Sequence, residues 1–457
     1  MEKSKLGGRI WFNLIIFGFM GQIAWNVENM YFNTFLYNSV YHGASQAAVD
    51  GSVDVMTAIS VMVAASAATA VITTFLIGTL SDKLGRRKVF ISLGYVLWGL
   101  VTAAFGFVSR ENTSALFGLT DEAAILTLTV SCVIVLDCVM TFMGSSSNDA
   151  CFNAWVTDVT TVKNRATAES VLAILPIAAM VAVIALAGVI TDFGYQVFFY
   201  LLGGVVSVCG LIGIVSLKDS GDKVKKDTSY FRELIYGFKP SVIRENNRLY
   251  LALASVCIFS TAVQVFFPYI FIYISNGLGL DLDNLLSNLT PGSIAGAAAG
   301  FAAVVAVIVS MGKIIDKFGK DRFIIASIVV FIIGLTLAGF AKKLSVFAVM
   351  AIPALLGYGL LMIMLNAAVR DFTPKDKTGL FQGVRMIFFV LIPMVVGPFI
   401  GNLVCRVNEV KYVNEYGVTT SAPGSVMFIA AAVVSLFIFI PILSLKKKGF
   451  NPEAETR

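Results

Sequence analysis

Gly78-Thr79-Leu80-Ser81-Asp82-Lys83-Leu84-Gly85-Arg86-Arg87-Lys88 separates two long apolar runs, and a reduced copy returns far downstream as Gly312-Lys313-Ile314-Ile315-Asp316-Lys317-Phe318-Gly319-Lys320-Asp321-Arg322. A short basic loop with paired glycines and an acid four residues after the first of them, used twice between apolar runs, reads as one unit repeated in two halves, although Asp321 interrupts the basic run of the copy.

Around these loops the chain of 457 residues is 57% hydrophobic and only 14% charged, against about 25% charged in soluble domains. Apolar runs of about twenty residues recur from end to end, which is the pattern of a polytopic membrane protein. The net charge of +6 is then no signal for nucleic acid, because in a membrane protein the placement of Lys and Arg matters more than their sum. The six Cys lie in or beside apolar runs without CxxC spacing, and are expected to be small buried side chains. The single His42 has no company for a metal site, and no cofactor is expected.

Twelve spans are predicted: 10–37, 52–80, 89–108, 122–150, 166–190 and 195–216, then 249–275, 292–314, 323–341, 345–369, 379–404 and 424–445. The polar interval 217–248 divides them into an N-terminal six-helix bundle (10–216) and a C-terminal one (249–445). With both termini and this linker inside, the outer segments hold only Arg110, Lys342, Lys343, Arg406 and Lys411, leaving 29 of the 34 basic residues inside. That bias places both ends in the cytoplasm of a plasma-membrane protein, the cell inner membrane if the source is bacterial. The halves also share Asp158-Val159-Thr160 and Asp371-Phe372-Thr373, each followed by basic residues and, eleven positions after the Asp, by Glu169 or Gln382. The predicted fold is all-α and integral to the membrane, with two pseudo-symmetric six-helix bundles.

This loop, in the same place in both halves, resembles the signature loop of the major facilitator superfamily, whose members are rocking transporters with a site between repeats. Gly78 and Gly85 permit a close approach and a tight turn. Asp82 is expected at the start of span 3, where its charge suits a helix N-terminus, paired with Arg86, Arg87 or Lys88. The resemblance implies a gating latch made by Gly78, Asp82, Gly85 and Arg86, with Asp316 and Gly319 in the copy. The plain alternative is a loop that only sets topology.

Polar residues inside spans need a reason. Gln22, Asn26, Asn29 and Asn33 follow 4-3-4 spacing and share one stripe of span 1. Such amides suit a ligand with many hydroxyls; otherwise they are glue between helices. Glu28 lies off the stripe, about 14 Å in from Tyr37 at 1.5 Å per residue. A carboxyl at that depth suits proton exchange in coupling, or is a buried acid with an unseen donor. Span 4 puts Asp137, Thr141, Gly144, Asn148, Cys151 and Trp155 on one face, with Asp149 off it. Gly144-Ser145-Ser146-Ser147 permits close packing and loosens the helix; it does not explain Asp137 or Asp149. The second half offers Gln264 among phenylalanines, and Asn366 on a face with Tyr358 and Met362.

Asn148-Asp149-Ala150-Cys151-Phe152-Asn153-Ala154-Trp155-Val156-Thr157-Asp158, and Arg370-Asp371-Phe372-Thr373 through Gly379-Leu380-Phe381-Gln382-Gly383-Val384-Arg385, look like the glycoside–pentoside–hexuronide cation symporters, the melibiose-carrier branch. That resemblance implies a sugar-holding role for Asp149 and places Gln22 near a ligand position. The paired Asp that sodium-using members carry on span 2 are missing from Ala70-Val71-Ile72-Thr73-Thr74, and Met386-Ile387-Phe388-Phe389-Val390 lacks their Lys on span 11. The expectation is a monomeric, proton-coupled carrier of a small solute, a sugar or glycoside, with substrate residues Gln22, Asn26, Asn29, Asn33, Asn148, Asp149, Gln264 and Asn366 and coupling residues Glu28 and Asp137. An uncoupled facilitator, a drug exporter and a lysolipid carrier remain open. Lacking a metal cluster, a His base or a Ser/His/Asp set, the chain is not expected to be an enzyme or to bind nucleic acid.

Overall fold

A computed structural model describes residues 6–160, 186–219, 236–279, 320–374, 378–407, 409–413 and 419–449, together with 168, 171, 172, 175, 176, 178–180, 182 and 183. Ten helices among these are long and apolar enough to cross a membrane. Numbered as in the sequence they are span 1 (Gly8–Val40), span 3 (Arg87–Phe107), span 4 (Glu122–Val159), span 6 (Asp192–Ser216), span 7 (Asn247–Gly277), span 9 (Asp321–Phe340), span 10 (Leu344–Phe372), span 11 (Gly383–Val407) and span 12 (Val426–Lys447), with span 2 as the helix Val55–Leu84. The expected span 8 and much of span 5 lie outside the described residues, as do Asp316 and Gly319. The chain forms two compact units, Met1–Phe231 and Arg232–Arg457.

In lipid, helices gain little from hiding apolar surface from one another; close backbone approach takes over. In the first unit span 3 crosses span 6 at backbone distance. A Cβ on Gly203 would overlap the Gly99 carbonyl, and would lie 2.6 Å from the Ala103 nitrogen. In the second unit a Cβ on Gly357 would lie 2.6 Å from the Phe331 backbone, so spans 9 and 10 also meet backbone to backbone. Leu93, Leu100, Val135, Leu201, Leu355 and Leu403 remain exposed, as side chains facing lipid must be.

Two features lie beyond the expectation. Segments of π-helix interrupt four spans: Glu28–Phe32 and Leu36–Val40 in span 1, Ser145–Phe152 in span 4, Tyr273–Gly277 in span 7 and Ile387–Leu391 in span 11. Such turns break the 3.6-residue register and recur at functional sites. After span 11, Val410–Val413 and Thr419–Ala422 pair as an antiparallel hairpin with Val410 opposite Ala422.

Candidate functional site

The basic loop differs from the sequence expectation in one respect. The span 2 helix does not end before Asp82; nothing in Thr79–Leu84 breaks it, so it runs on to Leu84 and stops where Gly85 takes the left-handed conformation, φ 61°. Asp82 therefore sits in the last turn of span 2, not at the start of span 3. The acid that caps span 3 is Asp219, whose Oδ1 accepts from the Lys88 N–H at 2.7 Å. Arg86 is exposed, and Arg87 makes the inward contacts. Its guanidinium reaches Asp158 at the end of span 4 (3.1 Å) and Ser81 Oγ in span 2 (2.6 Å). One arginine thus fastens the ends of spans 2 and 4, and Asp219 ties span 3 to the segment after span 6. The bridge is partly buried, with side chains 12% and 27% exposed, so it exceeds a surface pair that contributes almost nothing. A double-mutant cycle of Arg87→Gln with Asp158→Asn, read by thermal melting, should give a coupling of about 1 kcal/mol; additive effects would leave the bridge without energetic weight.

Deeper in the same unit, three carboxyls come from two spans. Glu28, 9% exposed, stands in the π turn of span 1. Its Oε1 accepts from Ser66 Oγ of span 2 at 2.6 Å and from Thr141 Oγ1 of span 4 at 3.1 Å, and the two hydroxyls are 2.8 Å apart. Asp137, one turn before Thr141, is 2% exposed. Glu28 Oε2 and Asp137 Oδ1 are buried with no hydrogen-bond partner among the described residues. Asp149 is partly buried in the π turn of span 4, held by Ser145 Oγ at 3.1 Å and by a hydrogen bond from Trp25 of span 1. A buried carboxylate with no cation beside it is costly, and taking up a proton removes the charge. The pair Glu28 and Asp137 is therefore chemically able to hold a proton. Asp149 with Trp25 offers an acceptor for hydroxyl groups beside an apolar ring face.

The amide stripe is less open than its spacing suggests. Asn26 Nδ2 reaches the Pro176 carbonyl at 3.4 Å, Asn29 bonds the Trp25 carbonyl at 2.7 Å, and Asn33 bonds the Asn29 carbonyl at 3.3 Å while its buried Oδ1 has no partner among the described residues. Gln22 is partly buried. Each amide keeps a second N–H, but the π turn starting at Glu28 carries Asn29 and Asn33 off a regular stripe. Asn148 is committed to packing. Its Nδ2 donates to Tyr95 Oη at 2.6 Å, that hydroxyl donates to the Phe17 carbonyl, and a Cβ on Gly21 would overlap the amide. The rest of its expected face is equally enclosed: Thr141 and Cys151 are 0% and Trp155 2% exposed.

In the second unit Gln264 packs against Gly397 of span 11. Asn366 donates to the Met362 carbonyl and accepts from Arg385 at 3.0 Å, with the guanidinium carbon 4.6 Å above the Phe389 ring. Among the described residues no group of three His, Cys, Asp or Glu side chains is placed to hold a metal. Sequence reading passed over Ser66 and Trp25. Small hydroxyls in apolar helices mostly bond their own chain, as Ser60 and Thr69 do, so nothing local marks Ser66.

The sequence profile described as Major Facilitator Superfamily matches residues 10–310 and 288–456. "Uncharacterized MFS-type transporter Rv1877" of Mycobacterium tuberculosis is 30% identical over 94 residues, 21% of this chain and 14% of that protein, and a second strain's copy matches equally. The match thus spans only a small part of these relatives' length. Two crystal structures of nucleoside transporter NupG, one a mutant, superpose with TM-scores of 0.64 and 0.63 at 12% and 13% identity. They cover 95% of this chain and 99% and 98% of theirs, a likeness of fold.

Proposed function

The chain belongs to the major facilitator superfamily and is a multi-pass membrane transporter, not an enzyme, and from that premise we propose that it carries a sugar or glycoside coupled to protons. The mechanism proposed is alternating access, each cycle opening a site to one side of the membrane and then to the other. The observation that carries the substrate class is Asp149, a partly exposed carboxyl within the membrane span, held by Ser145 and Trp25 in a π turn. It supports the melibiose-carrier-like assignment, in which this position holds sugar. Coupling is assigned to Glu28 and Asp137, each with one oxygen unpartnered among the described residues, which gives a proton somewhere to reside. The excess of basic residues on one side supports a plasma-membrane protein with both termini in the cytoplasm, and we take the working unit to be a monomer.

Purified protein in detergent should be stabilised by a sugar or glycoside in a thermal-shift panel, since ligand at 100 times its Kd adds about 2.7 kcal/mol. Nucleosides, the substrates in the solved fold relatives' names, are N-glycosides and belong in the panel with lysolipids and cationic drugs. Asn29→Ala should weaken the hit severalfold, and Asp149→Asn should abolish it. A response to lysolipid or drug alone would overturn the substrate class and leave the amides to helix packing.

A further inference from the structure

Three hydroxyl or carboxyl groups from three different spans converge on one point in the first unit. Ser66 (span 2) and Thr141 (span 4) are 0–3% exposed, and both reach the same oxygen of Glu28 (span 1), Oε1, at 2.6 and 3.1 Å. With both protons directed at Oε1, the two hydroxyl oxygens, 2.8 Å apart, only pack against each other. Both hydroxyls are shut away from bulk solvent, so each is aimed by the groups packed around it. The other oxygen, Oε2, has no partner among the described residues, and neither has Oδ1 of buried Asp137. The two oxygens of Glu28 are therefore unlike. One accepts from two donors, and the other from none among the described residues.

We propose that Ser66 and Thr141 are positioning residues for the coupling proton: they hold Glu28 through Oε1 when it is ionised, and so leave Oε2 as the oxygen that takes up and releases the proton. This rests on the proton-coupled reading above and deepens it. Donors to a carboxylate stabilise its ionised form, and hydrogen bonds to charged groups are worth about 1.5–3 kcal/mol. Every other titratable group acting on Glu28 among the described residues comes from span 4: Asp137, Asp149 and Cys138. None is a cation, so with the hydroxyls removed nothing described would remain to hold the ionised carboxylate. Its deprotonation must then wait for a higher pH.

The test needs no substrate. The full chain, purified in detergent, is titrated with pH while infrared spectroscopy follows the carbonyl band of protonated carboxyl groups. Glu28→Gln identifies the component belonging to Glu28 by removing it. Ser66→Ala and Thr141→Val should each move that component's midpoint to higher pH by about one unit, as loss of one such hydrogen bond requires. Ser66→Thr, which restores a hydroxyl, should bring it back towards the parent value. A component that vanishes in Glu28→Gln but titrates at the parent pH in both hydroxyl variants would overturn the positioning role and leave proton coupling standing. If Glu28→Gln removes no titrating component, the proton reading itself fails. A midpoint displaced by sodium chloride but not by choline chloride would assign the cluster to a metal cation and overturn the proposal.

Discussion

Glu28→Gln should abolish accumulation. In proteoliposomes with an inward gradient of one pH unit, a carrier moving one proton per solute can concentrate that solute about tenfold, because one unit is worth 1.36 kcal/mol. The glutamine variant should bring the inside only level with the outside. The substitution is nearly isosteric. Its amide oxygen can still accept from Ser66 and Thr141, which hold Glu28 Oε1 in the native protein, so the bundle has no reason to reorganise. What disappears is the ability to gain and lose a proton at a site 9% exposed. Entry down a solute gradient should continue, because nothing in that step requires Glu28 to change charge. Asp137→Asn removes the second acid with a carboxyl oxygen unpartnered among the described residues and should flatten the pH dependence of uptake further. Full tenfold accumulation by Glu28→Gln at every pH would clear this residue of coupling.

Gly203→Ala and Gly204→Ala should behave oppositely although the residues are neighbours. A methyl group at Gly203 would overlap the Gly99 carbonyl and lie 2.6 Å from the Ala103 nitrogen, whereas one at Gly204 would meet nothing within 4 Å. Backbone atoms cannot swing aside as a flexible side chain can, so spans 3 and 6 must separate. Overpacking of this kind costs about 1–3 kcal/mol, and it would pull on the rest of the crossing, where Ser207 Oγ donates to the Val96 carbonyl at 3.1 Å. Gly203→Ala should lose several degrees in melting temperature, and Gly203→Leu should no longer elute as a single species on size exclusion. Gly204→Ala should match the parent. Equal melting of both alanine variants would show that this crossing has room that its geometry denies.

The fold was legible because its signals are local. The loop around Gly78–Lys88, its copy, the apolar runs and the sidedness of Lys and Arg can all be read without knowing who touches whom. Candidate site residues were legible in kind but not in arrangement. Glu28, Asp137 and Asp149 stand out as acids in apolar helices, yet Ser66 and Thr141 lie 38 and 113 residues from Glu28 in sequence, and spacing along one helix says nothing about partners on another. Two expectations fell to misjudged helix geometry, one helix continuing where a break was expected and another broken where a regular one was assumed. The span 2 helix ran past Asp82 to Gly85, which left the capping of span 3 to Asp219. The π turn at Glu28 displaced Asn29 and Asn33 from a stripe counted at 3.6 residues per turn. Asn148 looked like a ligand because amides bind hydroxyls; here the hydroxyl is Tyr95's own.

The π turn at Ser145–Phe152 amounts to surplus chain held in reserve inside a helix. No covalent bond fixes that surplus to one turn. Were it to slip towards either end, each amide along the way would trade one carbonyl for the next, and the stretch between would revolve by roughly 100°, the arc of a single residue. The C-terminal end of span 4 would stay where it is, still fastened by Asp158 to Arg87. A carrier built this way can re-aim Asp149 like a valve stem turned in a fixed sleeve, without pulling any helix out of the membrane.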